Sequence, residues 1–65
     1  MTNTLEVVQI TPASGARHYF IVADSAGRKA RDQRGNVKRF LTPNRAEWLA
    51  GRLNNGEAVH NVGIA

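Results

Sequence analysis

Residues 42–56 read TPNRAEWLAGRLNNG, and this stretch decides the fold. Thr42 supplies a hydroxyl suited to the N-cap, and Pro43 follows at the first helical position, where its missing N–H costs nothing. Ala46, Leu49, Ala50 and Leu53 then recur at i, i+3, i+4 and i+7, the period of one apolar helical stripe. Asn54-Asn55-Gly56 ends the pattern with residues able to adopt the left-handed C-cap conformation. The spacing predicts a helix over residues 43–54, about three turns, which is too short to be stable in isolation. Its stripe must be buried against something the rest of the chain supplies.

That partner reads as a sheet. Outside the helix the chain is rich in Val, Ile, Tyr, Phe and Thr, punctuated by turn residues. Residues 5–11 and 17–23 form two strand candidates joined by Pro12-Ala13-Ser14-Gly15. Asp24-Ser25-Ala26-Gly27 makes a second turn, and a polar segment, 28–31, follows as either a strand or the rim of a long loop. Asp32-Gln33-Arg34-Gly35 turns the chain again into a strand over 36–41, and a last strand is expected over 58–64, with Ala58, Val62 and Ile64 on one side. The expected fold class is α+β: an antiparallel sheet of three to four strands with one helix packed on one face, in the order β-β-β-α-β.

The 65 residues allow a single small domain, 1–65. Such a chain buries only about 60 per cent of the surface its unfolded form exposes, so the core is thin. A hydrophobic fraction of 42% and a charged fraction of 22% argue against disorder. Without cysteine, neither a disulfide nor a thiolate zinc site can staple the fold. The longest apolar runs, such as residues 19–23, are far shorter than the roughly 20 residues of a membrane span, and no basic-then-apolar leader opens the chain. A cytoplasmic protein with no membrane partner is expected.

Charge is concentrated in the middle of the sequence. Residues 17–39 hold Arg17, Arg28, Lys29, Arg31, Arg34, Lys38 and Arg39 against Asp24 and Asp32, an excess of five positive charges, whereas residues 40–65 balance Arg45 and Arg52 with Glu47 and Glu57. If 28–31 pairs with 36–41, Arg28, Lys29, Arg31, Lys38 and Arg39, with Arg34 in the loop, crowd one two-stranded ribbon. A ribbon of that kind fits a DNA major groove, where Arg and Lys meet phosphates and guanine edges. Tyr19 or His18 would lie beside it on the outer sheet face, with Phe20 and Phe40 pointing inward. The same cations would equally serve as a solvated face that deters edge-to-edge aggregation. Five neutralised phosphates per chain would give a slope of log K on log salt near −4 to −5.

Trp48 falls just outside the apolar stripe, with Arg45 three residues before it and Arg52 four after it on one helical face. The thin core is expected to spread sideways and cover the indole, with the arginine stems over its edge. An exposed Trp48 with Arg45 and Arg52 would instead have the composition of a protein-binding hot spot.

Nothing forms a catalytic constellation. His18 and His60 have no local metal-ligand spacing, Ser14 and Ser25 fall in turns, and Gly27-Arg28-Lys29 lacks the spacing of a phosphate cradle. Residues 32–36 lack the alternating oxygen ligands of a calcium loop. No catalytic residue, metal site or cofactor is expected.

Residues 19–23, Gly27, Gly35-Asn36, Phe40, Thr42, Ala46 and Trp48-Leu49 together resemble the small module of arm-type DNA-binding domains of phage-like integrases, a patterning shared by small proteins of phages and mobile elements. The resemblance spans about half the chain. It implies strands joined by glycine turns leading into one helix, with the exposed sheet face entering the major groove and Arg28, Lys29, Arg31, Lys38 and Arg39 contacting DNA. The expectation is therefore a small, basic, non-enzymatic accessory protein binding DNA or RNA, its contacts doubled in a homodimer. A protein-interaction adaptor or inhibitor, acting through a sheet edge or the Trp48 face, is the alternative.

Overall fold

Helix α1 spans Pro43–Asn54, the residues its spacing predicts, and the computed structural model describes residues 4–65 of the chain. Before it come strands β1 (Glu6–Ile10), β2 (Tyr19–Ala23) and β3 (Ala30–Arg31), and after it β4 (Gly63–Ile64). The fold is α+β. Among the described residues it has one helix and two antiparallel two-stranded sheets, β1-β2 and β3-β4.

The helix closes as its sequence dictates. Gly56 takes a φ of 80°, its N–H donates to Leu53 C=O at 3.1 Å, and Glu57 N–H donates to Arg52 C=O at 3.1 Å. Two carbonyls left open by the helix are thereby satisfied in a Schellman motif. At the other end Thr42 occupies the N-cap in an extended conformation, but its hydroxyl makes no capping hydrogen bond. Proline at N1 removes one donor from the helix start, so one fewer N–H needs an acceptor there.

The stripe is buried as expected: Ala46, Leu49 and Ala50 are inaccessible or nearly so, and Leu53 is half-buried. They meet Leu5, Val22 and Ala30, with Val7, Phe20, Phe40, Val59, Val62 and Ile64 packed around them. Three of the six residues in this buried cluster are alanines, Ala46 and Ala50 on the helix and Ala30 on β3. In the β1-β2 register Val7 faces Val22, whereas Val8 faces Ile21 and Ile10 faces Tyr19. Strand alternation thus puts Val7 and Val22 under the helix and Val8, Ile10, Tyr19 and Ile21 on the opposite face.

Several expected boundaries move. No strand forms over 36–41, which instead makes isolated bridges at Val37 to Arg31 and at Phe40 to Phe20. The cause is a change of partner: Lys38 N–H donates to Ala30 C=O at 2.9 Å, while Phe40 exchanges two 2.8 Å main-chain bonds with Phe20. The segment crosses from β3 to β2 and builds a ladder with neither. Segment 28–31 is a strand only at Ala30 and Arg31, held on its other side by β4 through Ala30 to Ile64 and Arg31 to Gly63. The expected strand over 58–64 shrinks to Gly63–Ile64, because a turn from Val59 to Val62, with Asn61 at a φ of 63°, breaks extension. Ala58 is exposed, while Val62 and Ile64 are half-buried. The first two strands are each two residues shorter than 5–11 and 17–23.

Asn54, the last residue of α1, joins the helix to the sheet. Its Oδ1 accepts the Leu5 N–H at 2.8 Å and its Nδ2 donates to the Leu5 carbonyl at 2.9 Å. The carboxamide thus acts as one more strand residue at the start of β1.

Candidate functional site

One turn geometry, used twice, shapes the basic region. Asp24-Ser25-Ala26-Gly27 and Asp32-Gln33-Arg34-Gly35 are both Asp-x-x-Gly turns, eight residues apart. Asp24 Oδ1 accepts the N–H groups of Ala26 and Arg28 at 3.0 and 2.9 Å; Asp32 Oδ1 accepts those of Arg34 and Asn36 at 2.9 and 3.0 Å. Gly27 and Gly35 both take a φ of 85°, a conformation that excludes most side chains on steric grounds. Desolvation within its turn raises the Asp24 pKa, but the Arg28 N–H, the Arg28 guanidinium and the Ala26 N–H outweigh it and hold the carboxyl below its ordinary 3.8. Only 1% of that side chain is exposed, yet the covering comes from its own turn and Arg28, not from the core.

The six predicted nucleic-acid contacts do not form one cluster. Arg28 is drawn off by Asp24, to which its Nε donates at 2.9 Å, and lies by Thr4, Leu5, Leu53 and Asn54 on the helix side. Arg31 is spent on structure: its Nε donates to the Ala65 main-chain oxygen at 3.0 Å and its Nη1 to the Gly35 carbonyl at 2.9 Å. Lys29 reaches back to the Gly27 carbonyl at 3.3 Å. Arg34, Lys38 and Arg39 complete the set at and beyond the second turn, where Arg31, Lys38 and Arg39 share a cavity with Asp32, Asn36 and Val37.

The register sorts these residues by face. Lys29 pairs with Ala23 and Arg31 with Val37, so Lys29 and Arg31 lie on the face opposite the helix, with Tyr19 and Ile21. Arg39 joins them, its guanidinium carbon 4.6 Å from the centre of the Tyr19 ring. Glu6 stands on the same face, opposite Ala23. Among the described residues no ion pair joins a carboxylate to Lys29, Arg31, Arg34, Lys38 or Arg39; the two pairs are Arg28 to Asp24 and Arg52 to Glu57. Phe20 and Phe40 point inward as expected; of Tyr19 and His18, Tyr19 is the one beside a cation of the ribbon, Arg39, and His18 packs edge-on against Phe20 at 5.8 Å.

Trp48 is not covered by the core. It is 56% exposed, lying outside the buried stripe of Ala46, Leu49 and Ala50. Arg52 stacks on it with the guanidinium 4.9 Å from the ring centre; Arg45 does not stack but borders, with Phe40, Asn44 and Trp48, an open groove. A neighbouring cavity is lined by Arg39, Phe40, Leu41, Thr42 and Arg45, and Leu41 is 64% exposed.

Sequence reasoning placed both turns but missed what their aspartates do. The Asp24 to Arg28 spacing was the available signal for that pair. No local pattern announced the ties from Arg31 to Ala65 or from Asn54 to Leu5, since each joins residues more than 30 apart. Among the described residues no three His, Cys, Asp or Glu side chains stand close enough to hold a metal ion, and no helix is long and apolar enough to cross a membrane. Compared with protein-family models, curated proteins and solved structures, the chain matches none.

Proposed function

We propose that this chain is a small non-enzymatic nucleic-acid-binding protein, working from the sheet face opposite the helix and the adjoining second turn. What supports this is the grouping of Arg34 and Lys38 at the second turn, with Arg39 stacked on Tyr19 beside it and Lys29 on the same sheet face as Tyr19, and no ion pair from these four to a carboxylate among the described residues. Cations outside ion pairs attract a polyanion and release its counterions on contact. The resemblance to the arm-type module implies the same face.

The arrangement narrows the contact set. Arg28 and Arg31 hold the fold, so four cations remain, and the slope of log K on log salt falls to about −3 to −4. Replacing Arg28 and Arg31 would confound binding with stability. The clean test is Arg34→Ser, Lys38→Ser and Arg39→Ser together, measured by anisotropy of labelled mixed-sequence DNA at two salt concentrations. Loss of binding with an unchanged melting temperature is the expected result; unchanged affinity would end the proposal.

A second reading, a protein-interaction surface at Trp48, is favoured by the exposure of Trp48 and Leu41. A protein partner retained after nuclease treatment and lost on Trp48→Ala would support it.

A further inference from the structure

Among the described residues there are two cation–π pairs, Arg39 on Tyr19 and Arg52 on Trp48, and they lie on different sides of the molecule. Tyr19 stands on the sheet face away from the helix, and Trp48 stands on the helix itself. The segment between them connects the two surfaces. Arg39 touches Tyr19 and also lines the cavity containing Leu41 and Arg45, and Arg45 in turn borders the groove of Phe40 and Trp48. Two aromatic rings and three guanidinium groups therefore follow one path round the edge of the protein: Tyr19, Arg39, Arg45, Trp48, Arg52. No carboxylate lines either cavity on that path; Glu57, bonded to Arg52 at 3.5 Å and itself exposed, stands beyond its end.

We propose that the ligand of this path is single-stranded nucleic acid, its bases stacked on Trp48 and Tyr19 and its phosphates held by Arg39, Arg45 and Arg52. The proposal rests on the nucleic-acid reading above and sharpens it. Three physical points favour a single strand over a duplex. A duplex is straight over the size of this molecule, with a persistence length of about 50 nm, whereas a path that rounds an edge suits a flexible strand. The exposed indole of Trp48 rewards unpaired bases, whereas a duplex keeps its bases stacked on one another. A guanidinium lying flat on a ring leaves its edge N–H groups free, so Arg39 can stiffen its ring and still donate to phosphate, while Arg52, whose Nη1 donates to Glu57 at 3.5 Å, exchanges that contact for one to phosphate.

Trp48 is the sole tryptophan, so its emission reports the site directly. The test titrates wild-type protein with an oligothymidylate of about 12 nucleotides and with a mixed-sequence duplex of about the same length, at low salt, following Trp48 fluorescence and the anisotropy of labelled nucleic acid. The expected result is strong quenching by the single strand and an affinity about tenfold or more above that for the duplex. Trp48→Ala should lose about tenfold in single-strand affinity, and Trp48→Phe should recover most of it. The wild-type titration stands without either variant. Duplex binding equal to or tighter than single-strand binding, with unchanged Trp48 emission, would overturn this proposal and leave the sheet-face reading intact. No binding of either nucleic acid would overturn both. Quenching by polyglutamate but not by oligothymidylate would assign the groove to an acidic protein partner and overturn the single-strand proposal.

Discussion

Replacing Asn54 by alanine should destabilise the protein more than its exposed, helix-terminal position suggests. Its carboxamide makes two hydrogen bonds to the Leu5 main chain, at 2.8 and 2.9 Å, and Leu5 belongs to the core. Two such bonds contribute about 1 kcal/mol each net of solvent exchange, roughly 2 kcal/mol together. Alanine returns about 0.6 kcal/mol through its higher helix propensity, leaving a loss of about 1.5 kcal/mol. For a domain of this size each kcal/mol moves the melting temperature by about 4–8 °C, so Asn54→Ala should melt about 6–12 °C below wild type by far-ultraviolet circular dichroism. The Leu5 amide should also exchange faster with solvent. Asn55→Ala is the control. That side chain makes no hydrogen bond among the described residues, and its loss should change stability by no more than about 0.5 kcal/mol. If the two variants melted together, within about 2 °C of wild type, the proposed tie between helix end and first strand would carry no weight.

Two glycines should respond with opposite signs. Gly51 lies within α1 with open space where an alanine methyl group would stand, so Gly51→Ala should raise the urea midpoint by the equivalent of about 1 kcal/mol. Gly35 has equally open space but a φ of 85°, so Gly35→Ala should lower it by about 1 kcal/mol through backbone strain alone. Asp24 sets an acid dependence: its folded pKa lies below 3.8, so its stabilisation is present above that value and is lost as pH falls through the folded value. Urea melts of Asp24→Asn should therefore weaken less than those of wild type between about pH 5 and about pH 3. An equal decline in both proteins would refute the assignment.

The helix was legible because every signal agreed. Thr42-Pro43, the four-residue stripe and Asn55-Gly56 are local, and a helix is made of local hydrogen bonds. The turns were legible for the same reason. What sequence could not supply was the pairing of residues 36–41, whose apolar and polar pattern suits a strand, but whose backbone divides between Ala30 and Phe20. Nor could it separate the basic residues by use. Arg28 and Arg31 look like Arg34 and Arg39 in sequence, yet their partners are Asp24 in one case and Ala65 with Gly35 in the other. The exposure of Trp48 depends on how far the core extends beside α1, a quantity set by Ala46 and Ala50 together with the strands beneath them. The surface around Tyr19 and Arg39 was half visible, since alternation placed Tyr19 outward but could not bring Arg39 across to it.

The most direct test of the central claim is a two-dimensional amide titration by NMR, adding first single-stranded and then duplex DNA to labelled protein at low and at moderate salt. Binding at the proposed surface should shift amides at Tyr19, Lys29, residues 34–41, Arg45 and the Trp48 indole, and the shifts should weaken as salt rises. Shifts absent at low salt, or confined to the Asn54 and Leu5 end of the molecule, would contradict it.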